Sequence, residues 1–339
     1  MKELILYIRH TTLRRLLNLL MCRIGFVFSK LIRWPVVFGN PYSISIEPTT
    51  RCNLKCSECT TGRGELKRRS GDMDFEVFKT ITNQIAGFAY TVLLHFQGEP
   101  MMNPQIFSFI AYATSKKIVT EMATNATLIN KGNAALLVKS GLKKIVVSVD
   151  SANFNTTGQY RKGERSGAVA EGIAAIINAK KEIGSTYPIV VLELLMFKNN
   201  VSEISTFRNN AKTIGADVIR LKTVQVVSDE NVPLLVPLGT KYSRYKLGSD
   251  GSVSLKANSS ASCSAPWFKL SVTHDGWIVP CCFDKNAQYI LGSLRFASVK
   301  EIWKSEHYNR FRMNVLTRRN SMPVCSDCPY GRMPLDYKV

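Results

Sequence analysis

The sequence lacks several features that define other classes of protein. Its apolar N-terminal segment has no stretch of the roughly 18 to 20 uncharged residues that a membrane-spanning helix needs. The chain has no internal repeat and no long low-complexity tract, and 45% of its 339 residues are hydrophobic. A spanning helix, a repeat array and a chain too polar to fold are therefore not expected. A globular protein with an ordinary hydrophobic core is expected instead.

Acidic residues are scarce. The chain has 25 Asp and Glu residues against 45 Lys and Arg residues, which gives a formal net charge of +20. A charge of this size bears on partners rather than on fold, and nucleic acid, anionic lipid or an acidic substrate would each suit it. In residues 1–39 Glu3 is the only acidic residue, and the basic ones are Lys2, Arg9, Arg14, Arg15, Arg23, Lys30 and Arg33.

The same N-terminal segment is also apolar, but a charge interrupts it every few residues. Two interpretations are open at this point. A cationic amphipathic segment can lie in a membrane interface with its arginines at the headgroups. An amphipathic helix can equally pack on its own domain. We therefore expect a cytoplasmic protein that is either free or peripheral at the inner membrane face.

The nine cysteines fall into two groups and one isolated residue, Cys22. About two hundred cysteine-free residues separate the groups, which are Cys52, Cys56 and Cys59, and then Cys263, Cys281, Cys282, Cys325 and Cys328. In a chain without a cleavable signal peptide, cysteines at short fixed spacings are more typical of metal ligands than of disulfides. The distribution predicts two metal or cluster sites in a reducing compartment.

Strand-like and helix-like segments alternate between residues 41 and 227. The predicted strands are 42–48, 91–97, 119–124, 144–149, 189–196 and 218–223, and the predicted helices are 75–88, 106–116, 134–139, 168–182 and 202–214. Six βα units in succession indicate an α/β fold, a partial (βα)6 TIM-type barrel. Residues 1–40 form the basic N-terminal segment, 228–262 a linker without periodicity, and 263–339 a small cysteine-rich C-terminal domain.

Unusual residues stand at the carboxyl ends of the predicted strands, where barrels of this type carry their chemistry. In strand order they are the C-x3-C-x2-C run of Cys52, Cys56 and Cys59, then Gly98-Glu99-Pro100, Asn125 and Ser148. Three thiolates can hold three irons of a four-iron cluster. The fourth iron then keeps an open position, which is typical of a catalytic rather than a structural metal site.

The C-x3-C-x2-C run followed by Gly98-Glu99-Pro100 resembles the radical S-adenosylmethionine (SAM) superfamily, over roughly residues 42–223. The resemblance implies that a [4Fe-4S] cluster on Cys52, Cys56 and Cys59 binds SAM at its open iron. An electron from a flavodoxin- or ferredoxin-type donor would then split the sulfonium. The resulting 5′-deoxyadenosyl radical would remove a hydrogen atom from the substrate.

The resemblance also implies roles for individual residues. Glu99 would accept a hydrogen bond from the SAM amino group, and Gly98 would let the backbone approach closely. Asn125 would contact the ribose. Ser148 and Arg161 would bind the SAM carboxylate, for which a guanidinium is a suitable partner.

Two positions depart from the pattern of that superfamily. Glu58 stands just before the third cysteine, where an aromatic residue usually lies against the adenine. Gln97 replaces the first glycine of the usual Gly-Gly-Glu-Pro turn, which changes the turn but keeps the carboxylate. The packing of the adenine is therefore left open by the sequence.

The second cysteine group resembles the SPASM and twitch C-terminal extensions of radical SAM enzymes, and the single-cluster twitch type best. The resemblance implies a closed, auxiliary [4Fe-4S] cluster on Cys263, Cys281, Cys325 and Cys328, suited to electron transfer. Cys281 is preferred to its neighbour Cys282 because it follows Gly276 in a Gly-x4-Cys spacing. A zinc ribbon is the alternative for this group.

The leading hypothesis is a radical SAM oxidoreductase that oxidises a small alcohol, such as a sugar or cyclitol, as the twitch dehydrogenases do. Lys198, Lys222 and His95 are candidates for the base because they lie near strand ends. Peptide maturation is an alternative, although residues 1–40 are too few for a winged-helix module. Modification of a lipid-linked substrate at a membrane is another. A zinc-binding nucleic-acid protein is the non-enzymatic alternative, and a nucleic-acid partner is not expected.

Overall fold

The computed structural model describes residues 2–154, 160–256, 263–326, 328, 330 and 336–338. In chain order the elements are α1 (Lys2–Arg9), α2 (Leu13–Ile32), β1 (Ser43–Ile46), α3 (Phe75–Ile85), β2 (Thr91–Leu94), α4 (Ile106–Ser115), β3 (Val119–Thr124), α5 (Lys131–Lys139), β4 (Lys144–Val149), α6 (Ala168–Ile183), β5 (Ile189–Met196), α7 (Ile204–Ile214), β6 (Val218–Thr223), α8 (Val232–Leu235), β7 (Tyr245–Leu247), β8 (Val253–Leu255), α9 (Ala265–Phe268), β9 (Lys269–Val272), β10 (Trp277–Val279), β11 (Gly292–Ser293), α10 (Val299–Lys304), α11 (Glu306–Thr317), α12 (Pro323–Ser326) and β12 (Asp336–Lys338). Short 3-10 turns lie at Pro100–Met102, Val201–Glu203, Asp229–Asn231 and Arg319–Ser321.

The six predicted strands of the barrel are confirmed as β1 to β6, which lie side by side in chain order. Each pairs in parallel with the next, for example Ile44 with Val92 and Val147 with Leu192. Strands β3 to β6 have the predicted bounds, whereas β1 and β2 are shorter because the chain leaves the sheet at Glu47 and His95 to enter the site loops. The α/β class and the parallel sheet of the prediction are therefore correct.

The C-terminal segment adds strands to the same sheet instead of forming a separate one. Strand β9 pairs in parallel with β1, and β10 and β11 continue the sheet antiparallel beyond it. On the other edge, β12 pairs antiparallel with β6. The described sheet thus has ten strands in the order β11-β10-β9-β1-β2-β3-β4-β5-β6-β12. The second cysteine group is carried to the edge of the barrel next to the first strand.

The predicted linker 228–262 contains local structure that its sequence did not reveal. Strands β7 and β8 pair antiparallel around a turn at Gly248 to Gly251, and α8 precedes them. Each of these strands has three residues. A strand of this length is too short to show a period of two, which explains why the sequence pattern gave no signal.

Helices α1 and α2 pack across the end of the barrel at which the strands begin. Leu6 of α1 is buried against Val119 and Ile189, the first residues of β3 and β5. The Tyr7 hydroxyl donates to Glu121 over 2.6 Å. The N-terminal segment is therefore docked on its own domain, as one of the two sequence interpretations expected. A search of the described residues for a helix long and apolar enough to cross a membrane found none.

Candidate active site

The loop after β1 brings the first three cysteines into one cavity of about 330 Å³. Backbone bonds fix this loop, since Lys55 N–H donates to the Lys162 carbonyl over 2.8 Å and Ser57 N–H to the Tyr160 carbonyl over 3.2 Å. A side chain at Gly62 would meet the Cys56 backbone at 2.5 Å, so the loop closes tightly on itself. Cys52, Cys56 and Cys59 all line the cavity.

Burial shapes the chemistry of these thiols. It raises the pKa of Cys56 to about 11 and also raises the pKa of Cys52, and each thiol feels the charge of Cys59. A buried thiolate is costly unless a positive group compensates it. An iron cluster supplies that compensation, because metal binding requires and stabilises the thiolate. The donor set therefore fits the three-cysteine cluster that the sequence predicts.

The Gly98-Glu99 turn joins the cysteine loop to the end of β2. Gly98 has a φ of 72°, and a Cβ there would lie 2.4 Å from the Thr49 carbonyl oxygen. Only glycine meets both conditions, the left-handed backbone and the close approach. The next residue, Glu99, donates its N–H to the Arg51 carbonyl over 2.8 Å. The carboxylate is thereby fixed beside the cysteine loop.

The Glu99 carboxylate is buried and held in one orientation. It accepts hydrogen bonds from the Thr124 hydroxyl over 2.7 Å and from Asn125 N–H over 2.8 Å. Burial raises the pKa of Glu99, and these hydrogen bonds oppose that rise. A buried carboxylate with unused lone pairs suits a cationic donor such as an ammonium group.

The other residues that the sequence predicts for SAM line the same cavity. The Asn125 amide donates to Asn53 Oδ1 over 2.9 Å, which ties the end of β3 to the cysteine loop. Ser148 stands near the end of β4. Arg161 is buried, with its Nε 3.9 Å from Asp150 Oδ1, and that nitrogen has no hydrogen-bond partner among the described residues. The structure therefore brings Gly98, Glu99, Asn125, Ser148 and Arg161 together with the three cysteines.

Glu58 stands at the sequence position that is usually aromatic in the superfamily, but in the structure its carboxylate forms hydrogen bonds. Its carboxylate is buried, and it accepts from Val227 N–H over 2.6 Å and from the Asn231 amide over 2.7 Å. It thus anchors the cysteine loop to the segment after β6. Tyr160, which the sequence analysis did not select, is an aromatic residue that lines the cavity and packs on Phe197 at 5.0 Å between ring centroids.

The far side of the cavity carries charged residues that the sequence analysis largely missed. Lys222 donates to Glu193 over 2.9 Å, and Arg220 also contacts this carboxylate. Burial alone would raise the pKa of Glu193, but the two cations lower it overall. The single glutamate inside the apolar strand β5 was the available signal. Lys198, a candidate base in the sequence, is exposed and does not line the cavity.

Two further cations, Arg244 and Lys285, reach the cavity from distant parts of the chain. The Arg244 guanidinium donates to the Thr223 hydroxyl and carbonyl, and its Nη1 is buried without a hydrogen-bond partner in the described part of the chain. Burial lowers the pKa of Lys285. No local sequence pattern predicts this convergence.

The second cysteine group lines a neighbouring cavity of about 240 Å³, whose cysteines are Cys263, Cys281, Cys282, Cys325 and Cys328. Burial raises the pKa of Cys263 to about 11 and the pKa of Cys281 well above its usual value. Cys282 is exposed, although it also borders the cavity. All nine cysteines of the chain are described and none forms a disulfide.

His95 connects the two sites, because it lines both cavities. Burial lowers its pKa to about 4, so the imidazole is neutral at physiological pH. Its Nδ1 is buried and has no hydrogen-bond partner among the residues described. A search of these residues for three or more His, Cys, Asp or Glu side chains that could hold a single metal ion found no such group. A four-iron cluster has a different requirement, which is one thiolate for each iron.

This geometry defines a class of protein, an α/β enzyme with a three-cysteine site at the carboxyl end of its first strand and a second cysteine site beside it. Comparison with known proteins supplies the family. The model of the radical SAM superfamily matches residues 46–208, and that of the SPASM iron-sulfur cluster-binding domain matches residues 263–329. The chain therefore belongs to the radical SAM superfamily and carries a SPASM domain. Its cofactors are a SAM-binding [4Fe-4S] cluster, SAM and an auxiliary iron-sulfur centre.

Individual relatives differ in what they act on. The tungsten-containing aldehyde ferredoxin oxidoreductase cofactor-modifying protein of Pyrococcus furiosus is 24% identical over 313 residues, which cover 84% of this chain and 86% of the relative. The structure of BtrN in complex with AdoMet and 2-DOIA is 18% identical, with a TM-score of 0.53 over 88% of this chain and 98% of BtrN. Streptococcus suis SuiB bound to the precursor peptide SuiA is 16% identical, with a TM-score of 0.60 over 91% of this chain and 73% of SuiB. The likenesses to the BtrN and SuiB structures show the fold alone.

The position of Glu99 generates a prediction about SAM affinity. In the cluster-loaded enzyme, Glu99→Gln should weaken SAM binding about ten- to a hundredfold, since a hydrogen bond to a charged group contributes about 1.5–3 kcal/mol. The glutamine keeps one acceptor oxygen, for either Thr124 or Asn125, and it loses the charge. Anaerobic titration calorimetry measures the affinity. Glu76→Gln, which changes an exposed residue of α3, is the control, and equal SAM affinity of both variants would contradict the assignment.

Cys281 is partly buried and its neighbour Cys282 is exposed, and this difference predicts which of the two ligates the auxiliary cluster. Cys281→Ser should lose the iron and sulfide of one cluster after anaerobic reconstitution, whereas Cys282→Ser should retain them. The physical reason is that Cys281 is the less exposed of the two and lines the cavity together with Cys263 and Cys328. Iron and sulfide analysis with electron paramagnetic resonance measures the outcome. Loss of a cluster only in Cys282→Ser would reverse the assignment.

Proposed function

We propose that this protein oxidises a hydroxyl-bearing small molecule, bound between its two cysteine sites. The observation that carries the proposal is the position of His95, which borders both the cavity of the first cysteine group and that of the second. A substrate in the far half of the first cavity would lie next to the SAM position and also next to the auxiliary cysteines. That arrangement suits removal of a hydrogen atom on one side and of an electron on the other.

Different residues of the chain would bind the two clusters and SAM. Cys52, Cys56 and Cys59 would hold the SAM-binding cluster, and Cys263, Cys281, Cys325 and Cys328 the auxiliary one. Glu99 would accept from the SAM amino group, while Asn125, Ser148 and Arg161 would fix the ribose and the carboxylate. When bound, SAM and its cluster supply a 5′-deoxyadenosyl radical for hydrogen abstraction, and the auxiliary cluster supplies an acceptor for one electron.

The proposed oxidation would balance as follows. An alcohol carbon would give up a hydrogen atom, its hydroxyl would give a proton to a base of the chain, and one electron would leave to the auxiliary cluster that Cys263, Cys281, Cys325 and Cys328 would hold, so that a carbonyl results. His95 is the base that we favour, since it borders both cavities and its Nδ1 has no hydrogen-bond partner among the described residues. Lys222 pairs with Glu193 over 2.9 Å, so its ammonium is better suited to orient a substrate oxygen.

The charges of the far half indicate a substrate that carries an anionic group. Arg244 offers an unused, buried guanidinium nitrogen, and Lys285 lies near it in the same cavity. A guanidinium fixed by Thr223 is a rigid donor for a carboxylate or a phosphate. An anionic ligand would also offset the cost of burying these two cations.

A peptide is the second candidate substrate. The observation that favours it is the likeness to SuiB bound to its precursor peptide, which covers 91% of this chain. An acidic side chain of a peptide would meet the same two cations. The substrate experiment below separates the two candidates.

The class of reaction is tested by the fate of SAM. Reconstituted protein incubated anaerobically with dithionite and SAM should form 5′-deoxyadenosine, because three thiolates leave one iron free to bind SAM. The triple variant Cys52→Ala, Cys56→Ala, Cys59→Ala should form none. Cys22→Ala is the matched control, since Cys22 is a buried residue of α2 and belongs to neither group. Liquid chromatography with mass spectrometry measures the product, and equal formation by the triple variant would refute the proposal.

The substrate class is tested with metabolite fractions. A fraction of a cell extract retained on an anion-exchange resin should raise 5′-deoxyadenosine formation, because Arg244 and Lys285 select for an anion. The unretained fraction should not. Mass spectrometry of the active fraction should reveal a product lighter than its precursor by two hydrogen atoms. Stimulation only by the unretained fraction would contradict an anionic substrate. Stimulation only by a fraction that contains peptides would favour peptide maturation over oxidation of a small molecule.

A further inference from the structure

Helix α2 packs on the barrel with its polar side. Its buried residues recur every three or four positions and are polar or small, namely Arg15, Asn18, Cys22, Gly25 and Ser29. The Arg15 guanidinium donates to the carbonyls of Lys117 over 2.7 Å and of Ala86 over 3.1 Å. The Asn18 amide donates to the Asn40 carbonyl over 2.9 Å. An ordinary surface helix buries its apolar stripe instead.

The opposite side of α2 is apolar and exposed. Ten of its large hydrophobic side chains are between 41% and 74% exposed, and they are Leu13, Leu16, Leu17, Leu20, Met21, Ile24, Val27, Phe28, Leu31 and Ile32. Leu4, Ile5 and Ile8 of α1, with Trp34 and Phe38 just after α2, extend this surface. Fifteen of the 23 exposed large hydrophobic residues in the described chain lie in this N-terminal face. A concentration of this kind marks an interaction surface.

Exposed basic residues accompany the N-terminal face, and they are Arg9, Arg14, Arg23, Lys30 and Arg33, whereas Lys2 pairs with Asp217 over 2.5 Å. Glu3 is the only acidic residue before Glu47, and it lies 3.6 Å from Lys144. The face therefore presents a positive field together with a broad aliphatic surface. Long basic side chains can extend past apolar neighbours and reach a polar layer.

We infer that the N-terminal face is a docking surface for an anionic lipid bilayer, in which α2 lies parallel to the membrane plane. A helix of 20 residues is about 30 Å long, so the apolar side chains can enter the acyl boundary along its whole length. The basic residues then contact anionic headgroups. A second copy of the chain is a poorer occupant, because an interface with two-fold symmetry would place like charges against each other.

The docking surface lies at the opposite end of the barrel from the candidate active site. Leu16 and Leu19 border a cavity with Ser43 and Thr91, the first residues of β1 and β2, whereas the cysteines and Glu99 follow the last residues of these strands. A protein held at a membrane by α2 would thus keep its active-site cavity open to the aqueous side. Docking at this surface requires neither SAM nor either cluster.

Sedimentation of the full chain with vesicles tests the inference. The protein should bind vesicles of phosphatidylcholine with phosphatidylglycerol more tightly than phosphatidylcholine alone, with an affinity that falls as salt is added. The variant Leu17→Ser, Leu20→Ser, Ile24→Ser, Phe28→Ser should lose at least about tenfold in affinity, because it removes apolar side chains that would enter the bilayer. The matched control, Leu136→Ser, Leu234→Ser, Leu247→Ser, Phe296→Ser, changes exposed residues elsewhere and should bind as the wild type does.

A second variant keeps the inference testable if the serine variant fails to fold, which circular dichroism would reveal. Arg9→Gln, Arg14→Gln, Lys30→Gln, Arg33→Gln keeps the apolar side and should lose the preference for phosphatidylglycerol. Absence of wild-type binding to either vesicle would overturn the inference. So would concentration-dependent dimerisation that the serine variant abolishes, measured by light scattering in the absence of lipid, because the face would then join two copies of the chain. Both results are independent of SAM cleavage, so they leave the proposed reaction untouched.

Discussion

The close packing of Gly98 on the backbone of the cysteine loop is the contact on which the site depends. A Cβ at this position would lie 2.4 Å from the Thr49 carbonyl oxygen, and the next residue, Glu99, donates its N–H to the Arg51 carbonyl. This contact connects the thiols after β1 to the carboxylate after β2. Because the strands are parallel and adjacent, a single loop-to-loop contact is enough to align the cysteine loop with the Glu99 carboxylate.

Desolvation shifts the pKa values of the buried groups in the two cysteine-lined cavities. Burial raises the pKa of the thiols of Cys56 and Cys263 to about 11, and binding of iron would stabilise their thiolates. The same burial keeps His95 neutral between the two sites. The cations on the far side are either paired, as Lys222 is with Glu193, or available to an anionic ligand, as Arg244 is. One physical effect, burial, therefore acts on both cysteine groups, on His95 and on the charged residues of the far side.

The two ends of the barrel have different proposed functions. The carboxyl ends of the strands hold the cysteines, Glu99 and the charged pocket, as the position of catalytic residues in parallel barrels requires. The amino ends are covered by α1 and α2, which are held by polar contacts such as those of Arg15 and leave their apolar side chains exposed. The proposed membrane contact and the proposed chemistry are thus physically separate, and neither constrains the residues of the other.

The sequence by itself determined the strands from β3 to β6, which have the predicted bounds because their β-branched, apolar runs are local signals. It also determined the family, through the cysteine spacing and Gly98-Glu99. Tertiary structure alone decided that Glu58 accepts hydrogen bonds from Val227 and Asn231, and that Arg244 and Lys285 line one cavity with Lys222. It also decided that β9 extends the barrel sheet beside β1 and that α2 buries its polar side. These contacts join residues far apart in the chain. Local propensity carries no information about such pairings, because they form only when the whole chain is folded.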